Sequence, residues 1–180
     1  MRVFSFRGLA ASIALALAAA YPAQAADDVS LADLKAATRS LGFLQNPPKS
    51  GGYAIGVVYA PGSANGKILS QQAADRIRSL PGPHDGGLKV ESFAVSELAG
   101  HADRLDALYL VPGTSGSAIA DIARRKHLLV MSNDPACLDQ RCCMLMVRDN
   151  GRVEIVLDTE LAQSADVSFS SVFAMMVKHK

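Results

Sequence analysis

The sequence predicts an α/β domain of the three-layer, Rossmann-like kind, with a mostly parallel sheet extended by a C-terminal antiparallel β-hairpin. Three observations predict it. Apolar runs at 53–59, 107–111 and 127–131 lack the polar alternation of a half-exposed strand, so they read as strands buried on both faces. The first two lead into loops rich in Pro, Gly, Ser and Asn and then into stretches of helical spacing, the pattern of successive β-loop-α units. Residues 143–148 and 152–158 flank Asp149-Asn150-Gly151, where Asn-Gly accepts the positive φ angles of a tight hairpin turn.

In chain order, residues 1–25 combine Arg2 and Arg7, an apolar run over 9–20 and the small-residue site Ala23-Gln24-Ala25, the pattern of a secretory signal peptide. The run is too short to span a bilayer, and no cysteine stands at the cleavage point to take a lipid anchor, so an exported, soluble chain is expected. Removing 25 of the 180 residues leaves 155, one domain's length. Residues 26–52 supply an N-terminal helix and linker, and 53–180 the α/β domain. Subtracting Arg2 and Arg7 from 18 basic residues leaves 16 against 17 acidic ones, a balance that favours neither nucleic acid nor an anionic membrane as partner.

Ser30 is placed to cap a helix over 31–41 whose inner side is Leu31, Leu34, Thr38 and Leu41; Gly42 stops it. The strand at 53–59 is expected to be central. Helix 67–80 offers Ile68, Ala73, Ile77 and Leu80 to the core, residues 89–95 alternate as a strand, and 96–100 form one helical turn. Strand 107–111 leads to helix 118–126, and 127–131 forms the next strand. Asp158 caps a short helix over 159–164, and a last helix over 170–177 docks through Val172, Phe173 and Met176. Right-handed crossovers place the two Pro-Gly loops and the Ser132-Asn133-Asp134 loop at one C-terminal sheet edge, where ligands of open α/β sheets sit.

Residues 53–177 resemble the YfiR-like family of small exported α/β proteins. The likeness is carried by Ala107-Leu108-Tyr109-Leu110-Val111-Pro112-Gly113, Leu128-Leu129-Val130-Met131-Ser132, Asp134-Pro135-Ala136-Cys137, the hairpin over 144–157, and Val167-Ser168-Phe169-Ser170-Ser171. Where members commonly carry Gly-Gly-Met before the first hairpin strand, this chain has Arg141-Cys142-Cys143-Met144. The resemblance implies a periplasmic homodimer that binds a partner, the periplasmic part of a membrane signalling protein such as a diguanylate cyclase. It also implies a response to the redox state of its disulfides.

The three cysteines fall within seven positions, and an exported compartment favours bridging over thiol catalysis. Consecutive strand residues point to opposite faces, so only one of Cys142 and Cys143 can face Cys137. Cys142 is the expected partner, with Cys143 left as a buried free thiol. Met131, Met144, Met146 and His127 offer copper(I) ligands as a rival use, but alternating methionines on a strand belong to a core, and no cofactor or metal is expected. Ser63, Asn65, Thr114, Ser115 and Asn133 can present hydroxyls, amides and helix N-terminal N–H groups to a small ligand. The alternative function they define is a small-solute or metal carrier feeding a transporter. No phosphate-loop or dinucleotide fingerprint is present. Ser115 lacks nucleophile-elbow spacing, and His84, His101 and His179 read as solvated side chains. Asp103, Asp106 and Asp121 read as helix-surface or capping residues, so no enzyme is expected.

Overall fold

The computed structural model describes residues 29–46, 48, 51–149 and 151–180. The expected signal peptide and Asn150 of the hairpin turn lie outside them. A seven-stranded sheet has the order β2-β1-β3-β4-β5-β6-β7, built from β1 (Tyr53–Tyr59), β2 (Leu88–Ala94), β3 (Ala107–Leu110), β4 (Leu129–Ser132), β5 (Leu145–Asp149), β6 (Val153–Leu157) and β7 (Lys178–His179). All neighbouring pairs are parallel except the antiparallel hairpin β5–β6. The predicted α/β class with its mostly parallel sheet and C-terminal hairpin is therefore what the chain adopts. β1 sits one strand in from the edge rather than at the centre; its continuous apolar run reflects burial by helices on both faces.

The helices are α1 (Leu31–Ser40), α2 (Gly66–Arg78), α3 (Leu98–His101), α4 (Ser117–Lys126), α5 (Pro135–Asp139), α6 (Thr159–Ser164) and α7 (Ser171–Met176). The chain steps from β1 to β2 in one direction and from β2 through β3 to β4 in the other. Right-handed crossovers then put α2 on one face and α3 and α4 on the opposite one. α1 packs beside α2 and over β5 and β6. Ser30 caps α1 by accepting from the Asp33 N–H at 3.0 Å, Asp158 caps α6 through the Leu161 N–H at 2.8 Å, and Ser170 caps α7 through the Phe173 N–H.

Several sequence expectations are corrected. Leu31, Ile68, Val172 and Met176 are exposed, because the buried arc of each helix is narrower than its apolar content. The inner sides are Leu34, Ala37, Thr38 and Leu41 on and just after α1, Ala73, Ala74 and Ile77 on α2, and Phe173 on α7. His127 ends α4 in the left-handed conformation, φ 56°, instead of starting β4. His179 is exposed, yet it lies in β7 with its Nδ1 2.9 Å from Thr159 Oγ1 and its Nε2 2.7 Å from the Ala174 carbonyl oxygen. Residues 134–139, expected as loop, contain α5, whose Asp134 N-cap and Pro135 at the first helical position form a regular start signal.

Candidate functional site

The parallel strands deliver three loops to one edge. After β1 and after β3 the chain makes the same turn: Ala60-Pro61-Gly62-Ser63 closes by Ser63 N–H donating to Ala60 O at 3.2 Å, and Val111-Pro112-Gly113-Thr114 by Thr114 N–H donating to Val111 O at 3.1 Å. Proline presets the first central φ and glycine supplies the positive second one, 93° at Gly62 and 75° at Gly113. These loops flank the point where strand order reverses, the place at which open α/β sheets take ligands. Ser115 and Asn65 are exposed there. Ser63 Oγ accepts from Gly66 N–H at 3.0 Å at the start of α2. Thr114 is buried, its hydroxyl 3.4 Å from the Val58 carbonyl, so it staples β3 to β1 rather than facing solvent.

The third loop is tied to the second. Ser132 Oγ donates to Leu110 O at 2.9 Å and accepts from Asp134 N–H at 3.1 Å. One carboxylate oxygen of Asp134 caps α5 through Ala136 N–H at 2.9 Å, and the other accepts from Gly113 N–H at 3.1 Å. From α5 the chain turns back on itself, Cys142 N–H donating to Cys137 O at 2.8 Å. A disulfide joins Cys137 and Cys142, Cα atoms 5.1 Å apart. Cys142 precedes β5, so turn geometry rather than strand alternation aims its sulfur. That sulfur packs 3.9 Å from Thr114 O; being bridged, it has no proton to donate. Both bridged sulfurs are buried, and the loop's water-facing surface is Pro135, Ala136, Asp139, Gln140 and Arg141. Lys180 reaches back over it, donating to Leu138 O at 2.6 Å.

Cys143 is the free thiol, wholly buried. Burial, with the negative charge of Asp134 beside it, pushes it up to about 12. Met131, Met144 and Met146 are buried in the core, and among the described residues no cluster of three or more His, Cys, Asp or Glu has metal-binding geometry.

Asn133 is not displayed at the edge: it is buried, its amide donating to Asp33 Oδ2 on α1 at 3.0 Å, while Asp33 Oδ1 accepts from Asp149 N–H at 2.6 Å. Asp33 thus joins α1, β4 and β5, a role no local signal announces in a helix's first turn. Beneath it lies Tyr109, fully buried, with no hydrogen-bond partner on its hydroxyl among the described residues. Its ionisation is pushed up by burial and by Asp33. His84 and His127 shortly precede β2 and β4, at the opposite edge, while His101 ends α3 over the face of β2. There His101 stacks on Phe93 at 4.2 Å and pairs with Glu91 at 3.1 Å. Asp106, expected as a helix-surface or capping residue, is buried and accepts from Ala54 N–H at 2.9 Å. With Tyr53, His127 and Asp166 it lines a cavity of about 240 Å³ at that edge.

No family model matches the chain, and no curated protein does. Among solved structures it is similar to a conserved domain protein from Vibrio cholerae O1 biovar El Tor, with a TM-score of 0.54 and 16% identity over 85% of this chain. The match spans 61% of that structure's length. The likeness concerns the fold. No helix among the described residues is long and apolar enough to cross a membrane.

Proposed function

We propose that this chain is a non-enzymatic regulatory protein of the periplasm that restrains a membrane-bound signalling partner of the diguanylate cyclase type. The contact surface is the bridged turn over 134–142. The observation that carries this reading is the linkage of that turn to its surroundings. The disulfide closes α5 onto the segment before β5, and Asp134 ties the same turn to the Pro112-Gly113 loop. Opening the bridge releases a constraint on a surface with five exposed residues. The resemblance to the YfiR-like family supplies the location and the class of partner.

Capture from a detergent extract of membranes tests it. The oxidised chain is expected to retain a membrane signalling protein that Cys137→Ser with Cys142→Ser retains at least about tenfold less, a loss of one interface anchor's size. Equal capture by both forms, or capture of no membrane protein, overturns the reading. The exposed Asn65 and Ser115 at the strand-order reversal favour the second reading, a small-solute carrier. Under it a ligand screen raises the melting temperature and Asn65→Ala weakens the rise.

A further inference from the structure

We infer that the groove between α1, β6 and α7 is a binding site for a long-chain carboxylate, a free fatty acid. This site lies away from the bridged turn, and the inference is independent of the regulatory reading. Its floor is Phe43, Ile155 and Phe173, the two rings stacked at 5.0 Å between centroids. Val153 and Met176 form the outer wall and stand in water, 48% and 63% exposed, so apolar surface is left uncovered on both sides of an apolar slot. The slot encloses about 370 Å³, the size of a site for one small ligand.

Charge selects among apolar ligands. Lys35 and Arg39 stand one turn apart on α1 along the groove, both exposed, and neither has a carboxylate partner among the described residues. Among the described residues, no acidic side chain lines the slot. Two cations over an otherwise apolar trough match a ligand with an alkyl tail and a single anionic head. The tail lies against Phe43, Ile155 and Phe173, and the carboxylate accepts charge-assisted hydrogen bonds from Arg39 and Lys35. A neutral alcohol of the same length lacks the head, and a cationic surfactant is repelled.

Fluorescence titration of the purified full chain with cis-parinaric acid tests this. We expect saturable binding to one site, displaced by dodecanoic acid but not by dodecanol or dodecyltrimethylammonium. Lys35→Glu with Arg39→Glu is expected to weaken it at least about tenfold, as loss of a charge-assisted contact does. Arg39→Lys should keep it within about threefold. Both charged positions are on the surface, so folding is retained and is checked by circular dichroism. Absence of saturable binding, equal displacement by dodecanol, or indifference to the double charge reversal overturns the proposal. So does light scattering that finds a dimer dissociated by Met176→Asp with no fatty-acid binding, since a second copy would then cover the groove.

Discussion

Cys143 shows how little of a residue's chemistry is set by its type. Its sequence neighbour Cys142 is bridged, while Cys143 itself is sealed between the sheet and the bridged turn, its thiol raised to about 12 from the ordinary 9.0. A native-state value above the unfolded one stabilises the fold fully below pH 9, and that contribution is lost as pH climbs from 9 towards 12, because the unfolded chain releases its proton first. Two results are expected. A thiol reagent at neutral pH labels no cysteine in the native protein and one per chain in denaturant without reductant. The urea midpoint of the wild type falls more between about pH 8 and about pH 10.5 than that of Cys143→Ala, the difference tracking the ionisation. An equal fall in both shows that Cys143 does not titrate in that window. Rapid native labelling shows that the turn opens. Asp33 makes the same point through its hydrogen bonds: a side chain in the first turn of a helix, readable as surface, is held inside by donors 100 and 116 residues away.

At the scale of elements, the bridged turn is small and closely tethered. α5 has five residues, below the length at which helix propensity alone sustains structure. It persists through its Asp134 cap, its proline and the disulfide. Closing a loop with a sequence separation of 5 removes little chain entropy, so Cys137→Ser with Cys142→Ser is expected to lower stability by about 2 kcal/mol. For a domain of this size that is a fall in melting temperature of about 4–8 °C, read by calorimetry. A fall several times larger would mean that the bridge holds together more than its own turn. The elements also divide by how readable they are. The strands and longer helices were legible because burial on two faces leaves an unbroken apolar run and capping residues mark the ends, as Ser30, Asp158 and Ser170 do. α5 and β7 were not, because five and two residues carry no period. Which apolar residues face inward was legible only in part. Leu31 and Met176 satisfy helical spacing yet remain in water, since spacing gives a direction and not the width of the covered arc. At the candidate site the order of loops along the edge followed from the βα alternation. Thr114 and Asn133 belong to those loops, but both turn inward to partners on β1 and α1.

The whole molecule depends on closing its two ends together. Composition divides the chain into an N-terminal helix with linker and a domain starting at Tyr53, yet the contacts run across that division. Leu34, Ala37 and Leu41 belong to the same core as β1, β3 and β5. Gln45 N–H donates to Ser168 O at 2.9 Å, Ser170 N–H to Phe43 O at 2.8 Å, and Leu44 bridges Phe169, so the segment after α1 is laced to the chain entering α7. A chain beginning at Tyr53 loses two buried leucines, worth about 1.5–3 kcal/mol each. It also exposes or orphans the donors on Asn133 and Asp149 that Asp33 satisfies, at about 1–3 kcal/mol apiece. Together these rival the 5–15 kcal/mol by which a domain is ordinarily stable. The truncated chain is therefore expected to show no cooperative urea transition by circular dichroism, and Asp33→Ala in the full chain a midpoint shift corresponding to about 2–3 kcal/mol. If residues 53–180 alone unfold cooperatively with the full chain's midpoint, the N-terminal helix is an accessory laid on a finished domain. The buried bonds of Asp33 would then add nothing to the stability of the sheet they touch.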